Sequence, residues 1–241
     1  MINLEIKNIS FSYNIGYNSK IQVLKELNLS GKSGEIIGLI GKNGSGKTTF
    51  LNLLKGTLPI QQGKIEINTG TYSRANFSIP LVSQIVDSNL FPTLSVYENF
   101  SIIKNKNEHP LKNYFSKNKY NYCKKLLQKA EMNIEDKIDE QIRFLSGGQK
   151  QAISILFSLE HELPILLMDE PTASLDPFVS KKVIELAINE ILLRKGILIL
   201  VSHNLQDIIN YSTRIVVLKK GKLFEIDKDK IKNEDELMKL M

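Results

Sequence analysis

The first thirty residues alternate between hydrophobic and polar positions. The apolar members, spaced roughly two residues apart, are Leu4, Ile6, Ile9, Phe11, Tyr13, Val23, Leu24, Leu27 and Leu29. This is the period of strands with one buried face, and a shorter run with the same alternation follows at Gly63–Ile67. The pattern predicts antiparallel strands at the edge of the fold.

Farther along the chain, continuous apolar runs alternate with helical spacing. Buried strands are predicted at Glu35–Ile40, Pro164–Met168, Gly196–Val201 and Arg214–Leu218, and helices at Lys47–Leu54, Ser180–Leu193 and Leu205–Asn210. Such alternation is typical of a mostly parallel sheet. From Asn99 to Leu145 the composition becomes rich in Lys, Asn and Tyr, with helical spacing, and a helix is expected from Ser146 to about Leu159. This stretch predicts an inserted helical subdomain.

Composition narrows the classes of protein. The one cysteine, Cys123, excludes an intrachain disulfide and a zinc site built on several thiolates. Charges interrupt the segment Met1–Lys7, so we expect no signal peptide, and no apolar run approaches the roughly 20 residues that span a bilayer. The chain has 32 basic and 26 acidic residues, a net charge of +6. That excess fits nucleic acid, an anionic membrane, a phosphate ligand or a Lys-rich background composition.

A glycine-rich loop follows the first buried strand. Its sequence, Gly41-Lys42-Asn43-Gly44-Ser45-Gly46-Lys47-Thr48, matches G-x-x-x-x-G-K-[ST] at every fixed position and lies between a strand and a helix. Backbone N–H groups of such a loop converge on phosphate oxygens, Lys47 reaches the β- and γ-phosphates, and the Thr48 hydroxyl can ligate Mg²⁺. This segment, here called the phosphate loop, predicts a nucleotide site but does not separate ATPases from GTPases or kinases.

Two carboxylates end a later strand. Ile165–Met168 leads directly into Asp169 and Glu170. Asp169 is placed to hold Mg²⁺ through its water shell, and Glu170 is placed to polarise an attacking water as a general base. A strand that ends in polar turn residues is common, and Pro171 would end this strand anyway, so the pair gains weight only because it follows a phosphate loop.

A second anion-binding feature precedes this strand. In Leu145-Ser146-Gly147-Gly148-Gln149, here called the signature segment, Ser146 and Gln149 fit the S-x-x-Q capping box and predict a helix start. The two glycines leave bare N–H groups at the positive end of that helix. In isolation the segment would indicate only a well-capped helix.

Together these segments resemble the ATP-binding subunit of ABC transporters from about Leu4 to Glu225. Further similarities are Gln84 to the Q-loop glutamine, Ala173–Asp176 to the D-loop, and His203 to the switch histidine. Tyr13 is similar to the aromatic residue that stacks on adenine, with Phe11 and Tyr17 as close rivals. The fold implied is an α/β P-loop NTPase of ABC type, with a mostly parallel core sheet, an antiparallel β subdomain and an inserted helical subdomain.

The resemblance also implies a domain plan and a site. One ATP-binding domain spans 1–241: a core with the β subdomain at 1–84 and 160–225, the helical subdomain with the signature at about 85–159, and a C-terminal tail at 226–241. ATP and Mg²⁺ are the implied cofactors. The implied ATP-binding residues are Tyr13, Gly41, Asn43, Gly44, Gly46, Lys47, Thr48, Thr49, Ser146, Gly147, Gly148, Gln149 and Asp176. The implied catalytic residues are Glu170, His203 and Gln84, and the implied magnesium ligands are Thr48, Gln84 and Asp169.

The function implied is ATP hydrolysis that drives a separate transmembrane permease. Two copies, or this chain and a related ATP-binding subunit, are expected to pair head to tail, with Ser146–Gly148 of one closing on the γ-phosphate held by Lys47 of the other. The segment Phe91–Asn99 is expected to form part of the groove for the permease. The expected place is the cytoplasmic face of the cell membrane, as a peripheral subunit that works with a permease. A solute-binding protein is the further partner that the resemblance implies.

Departures from the family pattern bear on the subfamily. Ala152 and Phe157 stand where the family often has arginines. The Gln-Ala start of that helix, Ser202-His203-Asn204 and an insertion near Asn14–Lys20 resemble ATP-binding subunits of tryptophan/tyrosine-type amino-acid importers. A soluble ABC ATPase acting on DNA or ribosomes, and one that transmits force to a membrane partner without moving a solute, are the alternatives. Much of the basic excess lies between Lys104 and Lys137 and matches no nucleic-acid motif, so nucleic acid is not the expected partner.

Overall fold

The structure is a computed structural model, and it describes residues 1–16, 19–68, 73–74, 79–84, 89–104, 116–161, 163–231 and 233–241. In chain order the strands are β1 (Asn3–Ile15), β2 (Ser19–Lys32), β3 (Ile36–Ile40), β4 (Gln62–Asn68), β5 (Ser73–Arg74), β6 (Leu81–Ser83), β7 (Ile165–Asp169), β8 (Ile197–Val201), β9 (Arg214–Lys219) and β10 (Lys222–Ile226). The α-helices are α1 (Lys47–Lys55), α2 (Val96–Lys104), α3 (Lys117–Gln128), α4 (Gly147–Ser158), α5 (Pro177–Leu193), α6 (Leu205–Tyr211) and α7 (Glu234–Leu240). Short 3₁₀ turns lie at Ile134–Lys137, Ile142–Phe144 and Lys228–Lys230.

The chain divides into two compact units. The first, here called the core unit, consists of Met1–Leu81, Leu163–Glu170 and Ile191–Met241. The second, here called the helical unit, consists of Val82–Glu162 and Pro171–Glu190. The domain boundaries given by the sequence stay a prediction, and each unit is described by itself.

The core unit contains the predicted antiparallel sheet, in the order β2-β1-β4-β5. Strand β1 pairs antiparallel with β2 and with β4, so that Leu4 lies opposite Gly31 on one side and Ile67 on the other. The alternating apolar residues of β1 turn into the core, where Leu4, Ile6 and Ile9 are buried. Within the insertion near Asn14–Lys20, residues 17–18 lie outside the described residues, and the rest forms the facing ends of β1 and β2.

A mostly parallel sheet forms the other layer, in the order β10-β9-β3-β8-β7-β6. Strand β3 runs parallel to both β8 and β9, and β7 runs parallel to β8, whereas β10 returns antiparallel beside β9. Every residue of β3 and β8 is buried, as expected for strands covered on both faces. This confirms the predicted fold class. Parallel register also brings the carboxyl ends of β3, β7 and β8 to one edge of the sheet.

The helical unit has a core of its own. Phe100 of α2 packs on Phe157 of α4 with ring centroids 5.4 Å apart, and Cys123 and Leu127 of α3 are buried in the same cluster. The buried carboxylate of Glu160 accepts hydrogen bonds from Lys104 Nζ at 2.6 Å and from the Tyr122 hydroxyl at 3.0 Å. Burying this carboxylate is tolerated because both partners satisfy it.

Several elements differ from the sequence-based prediction. Helix α5 begins at Pro177 instead of Ser180, strands β5, β6 and β10 were not predicted, and the segment expected as a C-terminal tail contains α7. The apolar-rich segment Phe91–Asn99 leads into α2, and Val96, Tyr97 and Asn99 are buried within the helical unit. The other predicted strands and helices are confirmed to within a few residues.

Candidate active site

The phosphate loop joins the buried strand β3 to α1, as its motif predicts. Gly46 caps the helix with φ +107°, a left-handed conformation that glycine adopts without a steric penalty. A Cβ on this residue would lie 2.8 Å from Leu24 Cδ2, inside the range of a clash. Gly46 is therefore required by both the turn and the packing beneath it. Gly41 is buried, whereas Asn43 and Gly44 are exposed to an approaching ligand.

Lys47 is the first residue of α1 and is held by the loop that precedes it. Its Nζ donates hydrogen bonds to Gly41 O at 2.6 Å and to Lys42 O at 3.3 Å. Burial lowers the pKa of this ammonium, and the charges of Glu170 and Asp169 oppose that effect. A phosphate at this position would give the half-buried cation a full counter-charge.

Three hydroxyl side chains lie in the phosphate loop or directly after it. Ser45 Oγ is buried and has no hydrogen-bond partner among the described residues, so a phosphate oxygen would complete its bonding. Thr48 is exposed, and Thr49 is buried and contacts Tyr13. Sequence reasoning passed over Ser45, because the motif leaves this position variable.

Tyr13 lies near the end of β1. Its hydroxyl is 3.3 Å from Thr49 Oγ1, and its ring meets the ring of Phe11 edge to face with centroids 4.9 Å apart. Tyr13 is 41% exposed and Phe11 only 4%, so Tyr13 keeps an open face that Phe11 lacks. Tyr17, the other rival, lies outside the described residues. These facts favour Tyr13 as the residue that stacks on a base.

The acidic pair lies at the carboxyl edge of the parallel sheet. Asp169 is the last residue of β7, and burial, followed by the charge of Glu170, raises its pKa, while Lys47 and His203 act in the opposite direction. Glu170 has φ +51°, and its N–H donates to Val201 O at 2.9 Å. The turn that follows β7 is therefore held to the end of β8.

Glu170 contacts His203, which lies two residues after β8. Glu170 Oε1 and His203 Nε2 are 2.5 Å apart. The side chain of Glu170 is 18% exposed and that of His203 is 55% exposed, so the pair is accessible from solvent. The structure thus joins three predicted residues, Lys47, Glu170 and His203, in one electrostatic cluster with Asp169.

A cavity of about 360 Å³ lies beside this cluster and is here called the phosphate cavity. Polar residues and the phosphate loop form one part of its wall, and three apolar side chains form another. The lining residues are Gly41, Lys42, Lys47, Ser202, His203, Leu205, Met238 and Met241. The last two belong to the C-terminal segment, and no motif in the sequence pointed to them.

The signature segment belongs to the helical unit and has the predicted capping box. Gln149 N donates to Ser146 Oγ at 3.3 Å, and Ser146 N donates to Gln149 Oε1 at 3.2 Å. The side-chain nitrogen of Gln149, Nε2, donates to Met132 O at 3.1 Å. Both polar atoms of this side chain are therefore used in hydrogen bonds that hold the start of α4. A Cβ on Gly148 would lie 2.3 Å from Val179 Cγ1, which explains a glycine there by close packing against α5.

Asp176 and Gln84 also lie in the helical unit. Asp176 Oδ1 accepts hydrogen bonds from Phe178 N at 3.1 Å and Val179 N at 3.0 Å, and so caps α5. Gln84 is exposed at the end of β6. The residue before it, Ser83, accepts a hydrogen bond at 3.3 Å from Gln151 Nε2 on α4.

The helices among the described residues are all too short or too polar to span a bilayer. No group of three or more His, Cys, Asp and Glu side chains in the described part of the chain is arranged to hold a metal ion. A divalent cation bound by one carboxylate, one hydroxyl and phosphate oxygens would not need such a group.

Comparison with known proteins places these features in a context. The family model for ABC transporters matches residues 24–173. The tyrosine transport ATP-binding protein of Clostridioides difficile (strain R20291) is 33% identical over 236 residues, covering 95% of this chain and 93% of that protein. The xylose/arabinose import ATP-binding protein of Sulfolobus acidocaldarius is 30% identical over 247 residues, covering 99% and 93%.

Solved structures agree with the fold. A dimeric, post-hydrolysis ATP-binding cassette bound to ADP and phosphate matches with a TM-score of 0.76 at 25% identity, covering 93% of this chain and 98% of that one. A second dimeric structure of the same bacterial ABC transporter cassette matches with a TM-score of 0.75 at 26% identity and the same coverage. Both similarities extend over the core unit and the helical unit.

Proposed function

The chain belongs to the ABC transporter family, and from this premise we propose that it is the ATP-hydrolysing, energy-coupling subunit of an ABC importer. The observation that carries the proposal is the contact between Glu170 and His203 beside Lys47, at the edge where the parallel strands end. A base, a polar group facing phosphate and a phosphate-binding cation in one accessible cluster are the parts that ATP hydrolysis needs.

ATP binds with its phosphates in the phosphate loop and its base on Tyr13. Lys47 exchanges its bonds to the loop carbonyls for the β- and γ-phosphates, and Ser45 gains an acceptor. The hydrogen bond between Tyr13 and Thr49 supports this arrangement, because Thr49 lies on α1, which begins in the phosphate loop. Base and phosphate positions are therefore linked through one short helix.

The residues present fit a magnesium ion. Thr48 offers an exposed hydroxyl, and Asp169 offers a carboxylate whose raised pKa reflects burial and the nearby charge of Glu170. Oxygen donors of this kind, completed by phosphates and water, suit Mg²⁺. When bound, Mg²⁺ supplies charge neutralisation on the β- and γ-phosphates. Gln84 is the further ligand implied by the family resemblance.

Hydrolysis depends on Glu170 and His203. Glu170 orients water for attack on the γ-phosphate and accepts its proton. His203 donates a hydrogen bond to a γ-phosphate oxygen, and its contact with Glu170 keeps both side chains at the reacting end of the nucleotide.

A complete site needs a second cassette. The signature segment lies in the helical unit, and its free N–H groups at a helix start suit the γ-phosphate of another copy. A solved relative with the same fold is a dimer in two structures. Two head-to-tail copies, or this chain with a related ATP-binding subunit, would enclose two ATP molecules and separate after hydrolysis.

The dimer drives a transmembrane permease from the cytoplasmic face of the membrane. In the segment Phe91–Asn99, Val96 and Tyr97 belong to the core of the helical unit, whereas Phe91 is 52% exposed and available to contact a permease helix. A tyrosine transport relative that covers nearly the whole chain favours an aromatic amino acid as the imported solute. A solute-binding protein is the further partner expected for import.

Purification of the tagged chain from its own membranes tests the proposal. We expect a polytopic membrane protein to co-purify, and phosphate release from Mg²⁺-ATP to rise when that protein is in proteoliposomes with an aromatic amino acid and its binding protein. Phosphate release by a chain that never co-purifies with such a protein would favour the alternative of a non-transport ABC ATPase. Uptake of labelled tyrosine, compared with a sugar, tests the solute.

A further inference from the structure

Helix α7 is held in place by several contacts, although the sequence analysis predicted only a C-terminal tail there. The Asn233 side chain caps it by accepting a hydrogen bond from Glu236 N at 3.0 Å, and its first turn is acidic, which suits the helix dipole. Leu237 is fully buried, and α7 contacts α6 within the core unit. The position of α7 is therefore fixed by a cap, a buried anchor and a neighbouring helix.

This fixed helix presents two methionines to the phosphate cavity. Met238 lies in the last turn of α7, and Met241 is the residue that caps its C-terminal end. Both line the phosphate cavity together with Lys47 and His203. Met238 is 57% exposed, so a single copy leaves most of this apolar side chain uncovered.

We infer that α7 forms part of the ATP-dependent dimer interface, with Met238 and Met241 contacting the signature-bearing segment of a second copy. This inference rests on the proposed function, in which that segment closes on the γ-phosphate beside Lys47. The two methionines and Lys47 line one cavity, so a segment that approaches the γ-phosphate passes within reach of the methionines. A second copy of the chain therefore covers the opening of the phosphate cavity.

The side-chain chemistry suits a contact that forms and breaks. Methionine is unbranched and polarizable, and it adapts to a partner surface with little steric demand. An apolar wall beside Lys47 and His203 would also exclude water when the dimer closes, which strengthens the interactions of both residues with phosphate. While the two copies are apart, exposing these methionine side chains to water costs less free energy than exposing a larger aromatic surface would.

Sedimentation velocity with the Glu170→Gln variant tests the inference, because that variant is expected to retain ATP. Met238→Gln and Met241→Gln are combined in this background; glutamine has nearly the length and helix propensity of methionine but carries a polar end. The matched control is Leu240→Gln, since Leu240 is 42% exposed on the same helix and does not line the cavity. ATP affinity is measured separately on dilute, monomeric protein with a fluorescent ATP analogue.

We expect the double variant to weaken ATP-dependent dimerisation about 10-fold while its monomer binds the analogue as the parent does, and the control to change neither quantity. The inference is overturned if dimerisation is unaffected. It is equally overturned if the monomer loses analogue affinity by the same factor, because α7 would then be only a wall of the nucleotide site. Failure of the Glu170→Gln parent to dimerise would instead remove the shared site itself, and the inference with it.

Discussion

Glu170 Oε1 lies 2.5 Å from Nε2 of His203, although 32 intervening residues separate them along the chain. The parallel register of β7 and β8 sets Asp169 opposite Val201, and the bond from Glu170 N to Val201 O holds the turn that follows. The sheet and this bond therefore fix the backbone from which the Glu170 side chain reaches His203.

Substitution of Glu170 by Gln should separate ATP binding from hydrolysis. The amide keeps the size of the side chain and its contact with His203, but it cannot accept a proton from water. We expect ATP affinity to stay within a factor of about two and kcat to fall about 100-fold or more, the usual contribution of a general base. Phosphate release and equilibrium ATP binding measure the two quantities.

The matched control for this substitution is Glu185→Gln on α5, where an exposed carboxylate lies 3.9 Å from Lys181. An exposed pair of this kind contributes little to stability, so the control should behave as wild type. Near-wild-type turnover by the Glu170→Gln variant would show that another group activates the water.

Removal of the imidazole of His203 should also stop turnover, for a different reason. His203→Ala deletes a hydrogen-bond donor near the γ-phosphate and leaves Glu170 without its protein partner. We expect kcat to fall about 100-fold, the scale seen when one donor to a developing charge is lost, with little change in ATP affinity. His161→Ala, which removes an exposed imidazole outside the site, is the control. Equal kcat values for the two variants would contradict this role of His203.

Asp169→Asn should stabilise the nucleotide-free protein and abolish its activity. The pKa of Asp169 is raised by burial and by Glu170, so its charged form destabilises the folded state at neutral pH. Below the ordinary carboxyl pKa of 3.8 that cost is absent, and it appears as pH rises through the raised pKa. The variant should therefore have the higher Tm at pH 7, and its advantage should shrink as pH falls toward 4.

The same variant lacks the carboxylate proposed to hold Mg²⁺, and we expect its Mg²⁺-dependent phosphate release to fall about 100-fold. Thermal unfolding across pH, with Asp136→Asn as a surface control, measures the stability change. A Tm advantage that grows as pH falls would contradict the assignment of a destabilising charge to Asp169.

Short sequence motifs predicted those parts of the site whose structure depends only on residues close together along the chain. The capping box joins Ser146 to Gln149, three positions later, and forms as predicted. The start of α5 was placed three residues late because the prediction followed apolar spacing and overlooked Asp176-Pro177, which has the residue types favoured at the helix cap and first position. That signal was present in the sequence.

Other features depend on tertiary structure and could not be predicted from the chain. The contact between Glu170 and His203 requires the register of two strands, which no local pattern specifies. Helix α7 carries few apolar residues, and the burial of Leu237 follows from packing on the core unit. Tyr13 and Phe11 both fit the alternation of apolar and polar residues along β1. Only the greater exposure of Tyr13, which the structure shows, distinguishes the two.

A paired set of substitutions at Ser146 separates its capping role from its role toward phosphate. Ser146→Asn and Ser146→Asp both keep a side-chain acceptor for Gln149 N, so both should preserve the helix start. Only the aspartate brings a negative charge to the surface that closes on the γ-phosphate. In the Glu170→Gln background we expect the aspartate variant to lose ATP-dependent dimerisation at least about 10-fold relative to the asparagine variant. Sedimentation velocity measures this, and identical dimerisation of the two would argue against the shared site.

Gln151 lies on α4, the helix that begins in the signature segment, and its side chain bonds to β6, the strand directly before Gln84. Its side chain is fully buried, its Nε2 donates to Ser83 O at 3.3 Å, and its Oε1 has no partner among the described residues. Gln151→Met keeps the volume, removes one long hydrogen bond and also removes the unpaired oxygen, so the Tm should change by no more than about 3 °C.

Activity should respond more than stability, because Ser83 directly precedes Gln84. If the bond from Gln151 holds this backbone in place, kcat of the Gln151→Met variant should fall about 5-fold to 10-fold while ATP affinity is retained, and Gln128→Met on the exposed face of α3 should change neither. Steady-state phosphate release together with thermal unfolding distinguishes the two roles. A large drop in Tm with unchanged kcat would make Gln151 a packing residue only, since a residue that positions Gln84 must affect the rate at which ATP is hydrolysed.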